Sequence, residues 1–338
     1  MKLFKKIKNW RRLGWRFVQH CRNSKVYPLL YKSWWHYRFS TCRDKGEDHL
    51  QPALTQYFSA RPHPGAGIGH QIANWIAGYW FAKEFGLNFA HVPFSDPRWE
   101  EFLGFGEGEK KAEDLRRKDG YKIVYLPLFD ENKLEQMNLV REIIKSYRGR
   151  KIIFMAEQDQ FYADQYGVMD DLKRKFYSAK SRLPDDLIYS KTNYNIALHI
   201  RRGDIVAGQT NGNGNLEMRW LNNRYYTNIL DNVIRELKTD KPVHIYLFSQ
   251  GEEGDFAEFS KYDNVHFCLD MNPMGSFSHM VYADMLITSR SSFSYKPALI
   301  SNGIKICPGN FWHGYPDSPD WILADENGQF YSKLNLKP

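Results

Sequence analysis

A chain of 338 residues with 42% apolar and 25% charged side chains can build one large or two ordinary soluble cores. Cys21, Cys42, Cys268 and Cys307 have neither metal-site spacing nor the density of a disulfide framework, so a reducing compartment is expected. No window approaches 18 consecutive apolar residues, and no transmembrane helix is expected.

The net charge of +8 is unevenly spread. Residues 1–43 hold twelve Lys and Arg and no Asp or Glu, which leaves −4 for residues 44–338. That balance argues against nucleic acid as a partner of the globular part. Within residues 1–43, Leu3, Phe4, Ile7, Trp10, Leu13, Gly14, Phe17, Val18 and Cys21 recur at helical spacing. Lys2, Lys5, Lys6, Lys8, Arg11, Arg12 and Arg16 fall largely off that stripe. A basic amphipathic arm of this kind suits the interface of an anionic membrane, with Trp and Phe inserted and cations facing headgroups. The expected location is therefore cytoplasmic and peripheral, on the inner face of the cell membrane. A transit peptide, a helix packed on the parent domain and a nucleic-acid arm are the alternatives. A second aromatic-basic patch follows at Tyr31, Lys32, Trp34, Trp35, Tyr37 and Arg38.

Residues 44–51 read as a linker, and Leu54 to Ser59 as the first strand. The run Pro62-His-Pro-Gly-Ala-Gly-Ile-Gly69 forms a glycine-rich loop before a helix over His70–Phe85 that Gly86 ends. Small residues opening a helix expose N–H groups that favour an anion, although neither a P-loop Lys-Ser/Thr nor G-x-G-x-x-G spacing is present. Strands are expected at Leu87–Val92, Tyr121–Phe129 and Lys151–Ala156, with helices at Glu131–Ser146 and Met169–Ser178 and a turn at Phe94–Arg98. The second half repeats the alternation. Its strands are expected at Ile196–Ile200, Val243–Phe248, Val265–Cys268, Met285–Thr288 and Ile304–Cys307, with helices near Asn222–Leu237, Phe277–Ala283 and Tyr295–Ser301. The reading is α/β throughout: two facing doubly wound domains with an inter-domain cleft, 52–190 and 191–338, preceded by the arm 1–43.

The stretch Asn195-Ile-Ala-Leu-His-Ile-Arg-Arg-Gly-Asp204 stands out. A short apolar strand runs straight into His199, Arg201, Arg202 and Asp204, and open α/β sheets bind ligands beyond the carboxyl ends of their strands. Guanidinium suits a phosphate there, because its planar donor fork matches two oxygens at once. A solvated charge cluster or an internal Arg–Asp pair is the alternative.

Three segments, in this order, resemble the α1,2/α1,6/protein-O-fucosyltransferase superfamily. Gly67-Ile-Gly-His-Gln71 is similar to its Gly-Leu/Met-Gly-Asn-Gln loop, with His70 in place of Asn. His199-Ile-Arg-Arg-Gly-Asp204 is similar to His-x-Arg-x-Gly-Asp, and Ala283-Asp-Met-Leu-Ile-Thr-Ser-Arg-Ser-Ser-Phe-Ser294 to the Asn-Ser-Ser-Phe-Ser segment. Tyr246-Leu-Phe-Ser-Gln250 resembles a Phe-Ser-Asp-Asp strand, with Gln250 and Gly251 replacing the acids.

The resemblance implies a GT-B-like fold and an inverting fucosyltransferase that uses GDP-fucose without a metal or other cofactor. Its acceptor would be a glycan at a surface or on a lipid carrier. It assigns the β-phosphate to Arg202 and nucleotide contacts to His199, and Arg201 beside them is expected to bind the donor. It also brings Gly67, Gly69, His70, Gln71, Ser249, Ser291, Ser292, Phe293 and Ser294 to the donor. The chain contains no Asp-x-Asp. Related α1,6 enzymes place a Glu ten residues past the motif His, where this chain has Gln209, so Asp204 and Glu217 are the nearby candidates for the base. Another nucleotide sugar, or a sugar- or nucleotide-binding module without turnover, is the alternative.

Overall fold

The computed structural model describes residues 13–14, 16–41, 54–61, 65–157, 162–181, 186–206 and 214–330. Phe4 and Trp10 of the expected amphipathic helix, the linker 44–51 and Gln209 lie outside the described residues. By internal contacts the chain divides into two compact units. One comprises Met1–Ala66, Ala73–Phe94 and Gly108–Tyr162, the other Gly67–Ile72, Ser95–Glu107 and Ala163–Pro338. The division thus falls at 162/163 rather than at the expected 190/191, and two upstream segments join the second unit.

In the first unit, β1 (Tyr57–Arg61), β2 (Asn88–His91), β3 (Lys110–Lys111), β4 (Lys122–Tyr125) and β5 (Ile152–Glu157) form a parallel sheet in the order β3-β2-β1-β5-β4. Every residue of β5 is buried, as befits a strand covered on both faces. The helix Leu134–Ser146 buries Met137, Val140 and Ile143, a stripe at helical spacing. β4 ends at Tyr125, short of the expected Phe129, because Pro127 offers no N–H to a ladder.

The described part of the basic arm belongs to this unit. Tyr27, Tyr31 and Ser33 are buried. The Tyr27 hydroxyl accepts the Leu128 N–H at 3.1 Å, and the Ser33 hydroxyl donates to the Tyr125 carbonyl at 2.6 Å. In the helix Lys32–Ser40, the His36 ring stacks on Tyr147 with centroids 3.6 Å apart. Residues 27–40 are therefore built into the unit by aromatic burial and hydrogen bonds, not carried as a separate arm.

The second unit holds β6 (Tyr194–His199), β7 (Val243–Ser249), β8 (Val265–Leu269), β9 (Met285–Ile287), β10 (Ile304–Pro308) and β11 (Trp321–Ala324). All pair in parallel, in the order β11-β10-β9-β6-β7-β8. β6 runs first to one side, through β7 and β8. The chain then returns to its other flank for β9, β10 and β11. The doubly wound order puts a topological switch point between β6 and β9, where a crevice opens beyond the strand ends. The helix Asn223–Glu236 covers this sheet through Tyr226, Ile229, Leu230 and Val233. Its N-terminus is closed by the Asn222 side chain, which accepts the Tyr225 N–H at 2.9 Å.

Some elements differ from the sequence expectation. The expected turn at Phe94–Arg98 leads into the helix Pro97–Leu103, capped by Asp96 and ended by Gly104 in the left-handed region. A capping Asp, Pro at the first position and a terminal Gly are helix signals, but this helix is too short to show periodicity. The helix Ala112–Arg117 and the edge strands β3 and β11 also went unread, each six residues or fewer.

Candidate functional site

β6 ends at His199, and β9 ends just before Thr288-Ser-Arg-Ser-Ser-Phe293. These two strand ends flank the switch point, and a cavity of about 640 Å³ opens there, lined wholly by residues of the second unit. Gly67, Gly69, His70, Gln71, His199, Arg201, Arg202, Asp204, Ser249, Ser291, Ser292 and Phe293 all line it. Segments more than 220 residues apart in sequence thus meet at one opening.

Gly69 explains how two helices come so close. The helix Ile68–Glu84 and the helix Ser292–Ile300 approach so that a Cβ on Gly69 would lie 2.8 Å from the Ser292 carbonyl carbon. Only a residue without a side chain lets the two openings meet. Both helix starts border the cavity, and the positive ends of their dipoles favour an anion. Gln71 steadies this edge by accepting the Ser95 N–H at 2.9 Å and donating to the Ser95 hydroxyl at 2.7 Å.

Arg202 is buried. Its guanidinium donates to the Arg201 carbonyl at 2.9 Å, the Leu221 carbonyl at 3.1 Å and Asn223 Oδ1 at 2.6 Å, and lies 4.0 Å over the Trp220 ring. Neutral acceptors fix its direction without cancelling its charge. Arg219, which the sequence reading missed, also lines the cavity, with its guanidinium 4.9 Å over Trp312 and its Nε buried without a hydrogen-bond partner. Neither arginine is ion-paired to a carboxylate among the described residues. Arg201 instead forms a two-oxygen pair with Asp204, at 2.8 and 2.9 Å. This is the internal pair weighed from sequence. Gly203 makes the turn between them at φ +61°, and a Cβ there would strike Gln250.

His199 is buried, and its Nδ1 lies 2.9 Å from the Ser289 hydroxyl. Burial, then the charges of Arg201 and Arg202, push its pKa down to about 3. It is neutral at physiological pH and contributes a hydrogen-bonding ring, not a charge.

Two assigned residues are placed elsewhere. Ser294 does not line the cavity. It is fully buried, and its hydroxyl accepts the Ser289 N–H at 3.2 Å, which closes the turn after β9. Glu217 is exposed on the short helix Gly214–Glu217 and does not line the cavity either. The carboxylates that do are Asp204, paired with Arg201, and Asp96, paired with Arg98 at 2.8 Å. Trp99, Met271 and Pro273 supply apolar wall that no motif announced, beside Phe248 of the Tyr246–Gln250 segment. Among the described residues no cluster of three or more His, Cys, Asp and Glu is arranged to hold a metal ion.

Neither a protein-family model nor a curated protein matches the chain. Among solved structures it is similar to the fucosyltransferase NodZ from Bradyrhizobium, at 12% identity and a TM-score of 0.43, over 74% of this chain and 94% of that one. It is also similar to POFUT1 in complex with GDP, at 12% identity and a TM-score of 0.42, over 75% and 99% of the two chains. A mutant FUT1 of Arabidopsis thaliana in complex with GDP gives 10% identity and a TM-score of 0.45, over 91% and 79%.

Proposed function

We propose that the protein is a glycosyltransferase that moves a sugar from a nucleoside diphosphate, GDP-fucose by the resemblance of its motifs, to a hydroxyl of a surface or lipid-linked glycan. The observation that carries this reading is that two arginines, Arg202 and Arg219, neither in a salt bridge among the described residues, line a cavity that two helix starts also border. Such a site is built for an anion larger than a single carboxylate. As the glycosidic bond lengthens, negative charge grows on the departing diphosphate and positive charge on the sugar ring. Fixed guanidiniums and helix N–H groups stabilise the former without reorganising, which is the role a metal ion fills in other transferases. Neutral His199, held by Ser289, orients the nucleotide without competing for the charge. Inversion of configuration and independence of metal belong to the proposal.

The basic run in residues 1–43 supports placing the reaction at an anionic membrane surface, on the cytoplasmic face. No helix among the described residues is long and apolar enough to cross a membrane.

A second reading, a nucleotide-sugar-binding module without turnover, is favoured by the engagement of both cavity carboxylates in ion pairs. One experiment addresses both. In EDTA, GDP should raise the melting temperature while UDP and CMP should not, since a ligand stabilises only the state it binds. Equal shifts from all three would leave generic anion binding. Hydrolysis or transfer of labelled GDP-fucose then separates the enzyme from the module.

A further inference from the structure

Of the seventeen large hydrophobic side chains exposed among the described residues, seven lie between Leu13 and Phe39. Exposed apolar surface is thus concentrated in one short segment. There the chain is also purely cationic, with Arg16, Arg22, Lys25, Lys32 and Arg38 and no carboxylate. The helix Lys32–Ser40 shows why. Its inner face presents buried Ser33 and half-buried His36, which hold it to the first unit, so Lys32, Trp35, Arg38 and Phe39 are exposed on the other. Trp35 and Phe39 stack with centroids 5.6 Å apart, and Trp35 Nε1 donates to the Leu29 carbonyl at 2.9 Å. Leu29, Trp35 and Phe39 are thus held together on the exposed side, in the same short segment as exposed Lys25, Lys32 and Arg38.

We propose that the outer face of residues 25–39 is a membrane-docking surface. Leu29, Leu30, Trp35 and Phe39 enter the acyl boundary of an anionic bilayer, and Lys25, Lys32 and Arg38 meet its headgroups. The charge selects the occupant. A second copy would bring like charges together, whereas an anionic leaflet is complementary to exposed Lys25, Lys32 and Arg38, in a segment with no Asp or Glu of its own. Aromatic and branched apolar tips beside Lys and Arg suit the acyl–headgroup boundary. This inference rests on the membrane reading above and is independent of the donor sugar. It goes further in one respect. Buried Tyr27, Tyr31 and Ser33 make the surface part of the folded unit, so docking orients that unit instead of tethering it on a flexible leash.

The test is co-sedimentation of the full-length protein with phosphatidylcholine vesicles, with and without 30% phosphatidylglycerol. Wild-type protein should partition onto the anionic vesicles and far less onto neutral ones. W35S/F39S should lower that partition by at least about 10-fold at low salt. Its melting temperature should fall only slightly, because the two side chains contact chiefly each other and Leu29. K25E/K32E should lower partition and blunt its dependence on salt. Equal partition of wild type and W35S/F39S would overturn the proposal. So would loss of binding in F4S/W10S but not in W35S/F39S, which would move the surface to residues 1–12. A dimer in sedimentation velocity that W35S/F39S abolishes, with no vesicle binding by wild type, would assign the face to a second copy and also overturn it.

Discussion

Charge placement at single residues decides what the cavity can hold. Arg202 is aimed by two carbonyls and Asn223, and none of the three neutralises it. Charge-assisted hydrogen bonds contribute roughly 1.5–3 kcal/mol. Arg202→Ala should therefore cut turnover by about two to three orders of magnitude while the fold survives, as read by steady-state kinetics beside circular dichroism. Near-normal activity would remove Arg202 from the site. Arg219→Ala should weaken GDP binding in calorimetry by at least about tenfold, with Trp312 losing its cationic neighbour. Away from the cavity, Glu157 is buried at the end of β5, and its carboxyl is pushed up to about 7 by burial, offset in part by Arg61 and a hydrogen bond from Tyr31. A carboxyl whose folded pKa is raised contributes stability below its unfolded value near 4.5, and that stability is lost as pH rises through 7. The wild type should thus lose about 3 kcal/mol between pH 4.5 and 8 through this group. Glu157→Gln should flatten that fall in urea unfolding measured across pH. An unchanged pH profile in the variant would assign the loss to other groups.

At the level of elements, the helix starts and the N-terminal segment carry the consequences. Gly69→Ala forces apart the openings of the helices Ile68–Glu84 and Ser292–Ile300. The cost of such overpacking is about 1–3 kcal/mol, and loss of GDP affinity should accompany the lower stability. Retained affinity would show that the two helix starts need not meet to bind the nucleotide. Tyr27 fills the core of the first unit and accepts the Leu128 N–H, so Tyr27→Ala should lower the free energy of unfolding by about 3–5 kcal/mol. Removing residues 1–43 should destabilise the protein by at least as much. A truncated protein as stable as the full chain would contradict the packing of residues 27–40.

For the molecule as a whole, the cavity cannot be cut out with its sheet. All six strands of the second sheet lie within 163–338, yet Gly67–Gln71, Ser95, Asp96 and Trp99 line the same cavity from far upstream. A fragment 163–338 that retains α/β circular dichroism should therefore lose the stabilisation by GDP that the full chain shows. Undiminished stabilisation would place nucleotide binding entirely on the β6 and β9 ends. The sequence by itself determined the two α/β halves, because buried parallel strands such as Ile196–Ile200 and Val243–Phe248 must be nearly continuous in apolar residues. It also determined the chemical character of the site, because the glycine loop, the His-x-Arg-Arg stretch and the Ser-rich turn are local motifs read without knowing their neighbours. Only the tertiary structure decided which of those residues share a cavity, setting Ser294 and Glu217 outside it and bringing in Arg219 and Trp99. It alone divided the described part of the basic arm into a buried inner face and an exposed outer one. Side-chain direction and charge pairing depend on partners distant in the chain, Asp204 for Arg201, Trp312 for Arg219 and Tyr147 for His36, and spacing along a sequence does not encode them.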